Sequence, residues 1–136
     1  MKVVMIYGSA NDQPFMQPGR DYLEAENVDY EEKILSVHRN TDELIDYLKE
    51  LNSSDEKLVI IAIAGLSAGL PGFAAVKVDL PVIGVPVPGG PLNGVDALLS
   101  IVQVPGDVPL GSVGLHKKAP LNACMFAHRI LKLSGS

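Results

Sequence analysis

The stretch Leu58-Val59-Ile60-Ile61-Ala62-Ile63-Ala64-Gly65 is apolar throughout and ends on a glycine. Successive side chains of a strand face opposite sides of the sheet, so a half-buried strand alternates apolar with polar residues. Unbroken apolarity over Leu58–Ala64 predicts a strand buried on both faces, as in a parallel sheet covered by two helical layers. Lys2–Tyr7 reads the same way and stops at Gly8. Tyr30–Val37 alternates only in part and is expected nearer a sheet edge. Pro81–Val85 and a short Ser112–Leu115 complete the set of about five strands.

Helical patterns fall between these runs. One is expected within Phe15–Glu26, interrupted by Pro18 and Gly19. Leu44, Ile45, Leu48 and Leu51 make one apolar face of a second helix. Asn40 and Glu43 have capping-box spacing at its start, and Asp42 and Glu43 suit the positive end of its dipole. Short helices are expected over Phe73–Val78 and Val95–Val102. A last helix should run from near Pro120, where proline suits the first turn, to about Leu133. The alternation predicts an α/β three-layer sandwich with a parallel sheet, helices on both faces and right-handed crossovers. Gly and Pro crowd residues 65–114 but alternate with apolar runs, so they read as tight turns and not as a linker. A single domain over residues 1–136 is the expectation.

The chain is 47% hydrophobic and 20% charged, which suits a globular domain and excludes a disordered one. Its net charge is -5 and no Lys/Arg cluster appears, so no nucleic-acid partner is expected. No apolar run is long enough to span a bilayer, and MKVVMIYGS lacks the apolar core and cleavage site of a signal peptide. A lone cysteine, Cys124, allows no internal disulfide and fits a reducing compartment, so the cytoplasm is the expected location. Cys124 lies in an amphipathic helical pattern and reads as core.

In an open parallel sheet, ligands sit beyond the carboxyl ends of the strands. Those ends carry Gly8-Ser9, Ser36-Val37-His38-Arg39, Ala64-Gly65 and Pro86-Val87-Pro88. His38 can carry protons near neutral pH, and Arg39 can grip a phosphate or carboxylate with its planar fork. A solvated loop pair is the competing reading, and position in the sheet leaves the two about even. Gly8-Ser9-Ala10-Asn11-Asp12 offers a hydroxyl and backbone amides for a phosphate, or simply joins strand to helix. Asp12 is a helix cap or a ligand contact. Ala64–Gly72 is nearly devoid of polar side chains, so it suits either a snug wall for a planar ring or carbon dioxide, or close helix–strand packing. His116, beside Lys117 and Lys118, reads as a surface loop residue, and His128 as a helix-face residue. No His, Cys, Asp or Glu cluster has metal-ligand spacing, so no metal site is expected.

These segments, in this order, resemble the PurE-type family over nearly the whole chain. Ser36-Val37-His38-Arg39 is similar to the family's Ser-Ala-His-Arg motif, and Gly8–Asp12 to its Gly-Ser-x-Ser-Asp phosphate loop. Gly84-Val85-Pro86-Val87, Gly94–Gln103, Pro105, Pro109 and Asn122-Ala123 extend the match. The Asp96–Gln103 segment is its most specific part, because fold constraints alone do not demand those polar positions. The resemblance implies a flavodoxin-like sandwich, a homo-octamer or other homo-oligomer, and no organic cofactor or metal. It implies carboxyl transfer in purine biosynthesis, turning N5-carboxyaminoimidazole ribonucleotide into 4-carboxyaminoimidazole ribonucleotide. By it, His38 is the general acid/base. Gly8, Ser9, Asn11, Asp12, Ser36 and Arg39 serve the ribonucleotide, with Ser9, Asp12 and Arg39 at its ribose phosphate end. Ala64, Gly65 and Leu70, in the Ala64–Gly72 loop, shelter carbon dioxide and the imidazole.

The chain departs from the family pattern at several points. Gly69 stands where the mutase class carries a loop histidine, which is closer to the class using free carbon dioxide. Arg39 follows His38 as in mutases, where that other class has Lys. Asn11 replaces the second serine of the phosphate loop, and Ser136 falls short of the family's long C-terminal extension. Direct carboxylation of aminoimidazole ribonucleotide is therefore the alternative. A paralogue carboxylating another heterocycle and a non-catalytic nucleotide-binding module follow. Retention of His38 argues against the last, since binding alone does not need an imidazole.

Overall fold

A computed structural model describes residues 1–134. Strands β1 (Lys2–Tyr7), β2 (Tyr30–Ile34), β3 (Leu58–Gly65), β4 (Val82–Val87) and β5 (Gly111–Ser112) form one sheet in the order β2-β1-β3-β4-β5. Every pairing in it is parallel. The helices are α1 (Gln17–Ala25), α2 (Thr41–Asn52), α3 (Gly69–Lys77), α4 (Val95–Val102) and α5 (Ala119–Ser134), and a 3₁₀ segment, Ala10–Met16, precedes α1. This is the expected three-layer sandwich, in the flavodoxin-like strand order.

The unbroken apolar runs divide their side chains between two cores. Val4, Ile6, Ile60 and Ala62 pack with Leu44 and Leu48 of α2 and Ala74 of α3. Their neighbours Val3, Met5, Val59 and Ile61 face the other way, onto Leu23 of α1 and Ala123, Ala127 and Leu131 of α5. Each fully buried Ile, Leu or Val of this kind stabilises the fold by about 1.5–3 kcal/mol. The mixed sequence of β2 lies at the sheet edge, as its partial alternation implied.

Pro18 and Gly19 do not interrupt α1. Pro18 occupies its first turn, where a missing N–H costs nothing. Gly19 is where α1 crosses α5: a Cβ there would stand 2.6 Å from Cys124 Sγ and 2.8 Å from the Pro120 carbonyl oxygen. β2 ends at Ile34, three residues before the expected Val37, because Ser36–Asn40 turns on its own side-chain hydrogen bonds. α3 begins at Gly69 and not at Phe73, since Pro71 and Gly72 fall early enough to be tolerated. β4 extends through Pro86, which lies past Ile83 and Gly84, the residues that pair with β5. β5 is a two-residue bridge, shifted from the expected Ser112–Leu115, and Gly114 at φ +97° turns the chain out of extended geometry just after it. The capping box does not form: Asn40 makes no side-chain bond to the start of α2.

Candidate active site

Sheet order alone opens a crevice. β1 lies between β2 and β3. From β1 the chain leaves toward α1 on one face, and from β3 it leaves toward α3 on the other. The two loops therefore diverge, and the space between them is the switch point at which α/β sheets bind ligands. A cavity of about 280 Å³ occupies it. Gly8, Ser9, Asn11 and Asp12 line it from β1, Ser36, Val37 and His38 from β2, and Ala64, Gly65, Leu66, Ser67, Gly69 and Leu70 from β3. Of the residues the sequence nominated, Arg39 alone is not in this wall; it is exposed beside His38.

Backbone amides and one serine shape the first loop. The Gly8 N–H donates to the Ile63 carbonyl at 3.0 Å, holding the turn to β3. Ser9, and not Asp12, caps the 3₁₀ segment: its Oγ accepts from the Asn11 N–H at 3.2 Å, and its carbonyl from the Asp12 N–H at 3.1 Å. Asp12 is left on the cavity wall, half-buried, and burial pushes its carboxyl above the ordinary range. A Cβ on Gly8 would meet only Ala64 Cβ at 3.7 Å and the Ile63 oxygen at 3.8 Å. Packing of the protein itself therefore does not demand glycine there.

The histidine loop is a side-chain construction. Ser36 Oγ accepts from the His38 and Arg39 N–H groups at 3.1 and 3.3 Å. Asn40 Oδ1 accepts from the Ser36 N–H at 3.2 Å, so the residue expected to cap α2 braces this loop instead. Thr41 Oγ1 donates to the Val37 carbonyl at 2.6 Å. The result fixes the His38 backbone at the cavity mouth and leaves its imidazole in contact with solvent.

The third loop is the Ala64–Gly72 stretch, in which Leu66, Ser67 and Gly69 join Ala64, Gly65 and Leu70 in lining the cavity. Leu66 adopts φ +54° and is 55% exposed, an uncommon backbone for a large apolar residue. Nothing in the identity of a leucine announces a left-handed turn. Ser67 accepts the Gly69 N–H through its carbonyl at 2.8 Å. A Cβ on Gly69 would lie 3.5 Å from Val37 Cγ1, so a side chain there would emerge against the histidine loop.

The remaining candidates lie elsewhere. His116 is exposed near the Val113 carbonyl. His128 is buried, its Nδ1 sharing a 2.9 Å hydrogen bond with the Tyr22 hydroxyl. Cys124 is core, and burial pushes its thiol up to about 12. Among the described residues, no group of three or more His, Cys, Asp or Glu could hold a metal ion, and no helix is long and apolar enough to cross a membrane.

A doubly wound sandwich with a switch-point cavity, one imidazole at its mouth and small backbone-rich walls defines a class of small-molecule enzymes and binders. The family described as AIR carboxylase matches residues 2–136, and the chain belongs to that family. It is 46% identical to N5-carboxyaminoimidazole ribonucleotide mutase of Bacillus subtilis over 95% of this chain and 79% of the relative. It is 44% identical to the mutase of Saccharolobus solfataricus, over 96% of this chain and 80% of that protein. Among solved structures, PurE of Treponema denticola superposes with a TM-score of 0.86 at 28% identity, covering 96% of this chain and 80% of that one.

Proposed function

We propose that this cavity converts N5-carboxyaminoimidazole ribonucleotide to 4-carboxyaminoimidazole ribonucleotide, with His38 as the proton carrier. The observation that carries the reading is the placement of His38. Among the described residues, it is the one imidazole in the cavity wall, held opposite an apolar, backbone-lined loop. Kinship with curated mutases supports the same reaction.

In this reaction carbon dioxide leaves the exocyclic nitrogen, which takes a proton as the N–C bond breaks. The ring carbon then attacks the carbon dioxide, the exocyclic nitrogen pushing electrons to it, and loses its own proton. One imidazole serves both steps, giving a proton first and taking one back. The pair freed when the N–C bond breaks forms the new N–H bond, and the pair left by the ring C–H proton restores the aromatic ring. Ala64, Gly65, Leu66 and Leu70 keep carbon dioxide near the ring carbon and exclude water, which raises its effective concentration and prevents its escape. Ser9 donates to the phosphate, and Arg39 reaches it from the rim. Asp12 accepts from the ribose hydroxyls through its carboxyl oxygens. Asn11, Ser36 and Gly8 complete that end.

Direct carboxylation of aminoimidazole ribonucleotide is the second reading, and Gly69, with no side chain beside Val37, favours it. Purified protein is assayed with each substrate, with and without bicarbonate. Turnover of the N5-carboxylated substrate without bicarbonate supports the mutase. Turnover of aminoimidazole ribonucleotide alone, scaling with bicarbonate, replaces it with the carboxylase. Inactivity on both removes the reading.

The working form in this reading is a homo-oligomer in the cytoplasm. Leu92, Val95, Leu99, Val102 and Phe126 are each about half exposed or more, an apolar surface that a second copy would cover. An apolar groove of about 560 Å³, with Phe73, Val76 and Val104 in its wall, opens beside the cavity and shares Val37, His38 and Gly69 with it. Sedimentation as a monomer at micromolar concentration would remove the assembly.

A further inference from the structure

Arg20 stands beside the cavity without lining it, on α1, and its side chain is only 13% exposed. Nη1 donates to the Tyr7 hydroxyl at 3.0 Å and to Glu32 Oε2 at 2.9 Å. Nη2 donates to the Gln13 carbonyl at 2.8 Å. The Tyr7 hydroxyl donates in turn to Glu32, closing a ring of three side chains from α1, β1 and β2. Tyr7 is the residue before Gly8, and Gln13 is the residue after Asp12. One planar fork therefore grips both ends of the Gly8–Asp12 loop. We propose that Arg20 is the positioning residue of this loop, fixing Ser9 and Asp12 for the ribonucleotide through Tyr7 and Gln13 while touching no substrate itself.

The residue type follows from the geometry. Guanidinium offers five N–H donors in a rigid plane, so it serves an acceptor on each flank at once. An ammonium in the same place keeps its charge beside Glu32 but has no fork to span to the Gln13 carbonyl. Glu32 holds the guanidinium in plane, and Tyr7 is fully buried, so the clamp is anchored on the sheet and not on a mobile surface. Half-buried Asp12 is sensitive to this anchoring, because a looser loop admits water to its carboxyl.

The inference rests on the nucleotide reading for its kinetic consequence, and its structural half is measured without activity. Hydrogen exchange is read at the Asn11 and Asp12 amides, both bonded to Ser9, in wild type, Arg20→Lys and Arg20→Met. Leu23→Val, a core change on the same helix, is the stability control. Arg20→Lys should melt close to wild type, yet exchange these amides at least about tenfold faster, as Arg20→Met does. KM for the N5-carboxylated ribonucleotide should rise about tenfold with kcat within about threefold, the signature of lost uniform binding. Leu23→Val should lower Tm and move neither. Exchange in Arg20→Lys within about twofold of wild type, or an equal rise in Leu23→Val, overturns the clamp. Faster exchange with unchanged KM in an active enzyme overturns its role in positioning. A wild type inactive on both substrates removes the proposed reaction, while the exchange data still decide whether Arg20 holds the loop.

Discussion

The loops after β1 and β3 face each other across the cavity and are built by opposite means. Gly8–Met16 is tied down by side chains: Ser9 caps it from within, and Arg20 grips it from α1. Among the described residues, no side-chain hydrogen bond reaches the Gly65–Gly69 backbone, which turns on a left-handed Leu66 and one backbone bond between Gly69 and Ser67. The difference teaches how such a pocket divides its work. Holding a charged or hydroxylated group needs donors and acceptors at set distances, and those must be immobilised beforehand. Sheltering a ring and a small gas molecule needs shape and dryness, which small residues supply without polar partners.

His38 stands between the two loops and has the largest expected effect. His38→Asn should lower the mutase rate about 10²–10⁴-fold while ribonucleotide binding, measured by calorimetry, survives. A rate within a few-fold of wild type would remove His38 from the proton transfer and leave the two loops as a binding site only.

Arg39→Ala sharpens the polar side of the comparison. Binding of the ribonucleotide should weaken by about 1.5–3 kcal/mol, with the dephosphorylated nucleoside little affected. Equal weakening of both would take the phosphate away from Arg39 and leave it to Ser9 and the loop backbone.

Gly19→Ala tests whether only the first loop depends on a distant support. A methyl there would overlap Cys124 Sγ and the Pro120 carbonyl, so α1 must shift from α5 at a cost of about 1–3 kcal/mol in denaturant unfolding. Since α1 carries Arg20, exchange should rise at Asn11 and Asp12 and stay unchanged at Ser67 and Gly69. A rise at both loops would mean that they are not independently supported.

The smallest effect is expected at Asp12. Its folded carboxyl is raised by burial, so the folded state binds that proton more tightly than the unfolded state does. The stability it contributes is present below the ordinary carboxylate value near 3.8 and is lost as pH rises through the folded value. Asp12→Asn should therefore raise Tm by about 1–4 °C at pH 7 and lose that advantage near pH 3, while weakening the ribonucleotide. A lower Tm at pH 7 would show that the carboxylate holds the loop together and is not reserved for a ligand.

The chemistry-bearing residues were readable because the fold brings together what the strand ends display. Glycine-terminated apolar runs announce where β1 and β3 stop, and His38 lies in the turn that follows β2. Gly8, Ser9, Asn11, Asp12, Ser36, His38, Ala64, Gly65 and Leu70 are in one wall, as sheet topology requires. Leu66, Ser67, Val37 and Gly69 lie in segments that the sequence places at the ligand end, but no binding role is legible for them one by one, since a wall made of shape carries no titratable group to notice. The capping reading of Asn40 failed for a related reason. Its spacing to Glu43 is local, but its carboxamide is taken by the Ser36 amide, which competes for the same acceptor.

By itself, the sequence determined the layers. Leu58–Gly65 and Lys2–Tyr7 are apolar at consecutive positions, and a pleated strand with that pattern can satisfy itself only between two covering faces. Tertiary structure alone decided where Arg20 reaches. Within α1 it reads as one more polar residue on a helix with Pro18 and Gly19 in its first turn. Only the crossing of α1 over α5 at Gly19, and the parallel pairing of β1 with β2, bring its guanidinium to Tyr7, Glu32 and Gln13 together. Periodicity records which face a residue turns to the core. It does not record which atoms a long side chain meets, because those are set by the angle and distance at which separate elements pack.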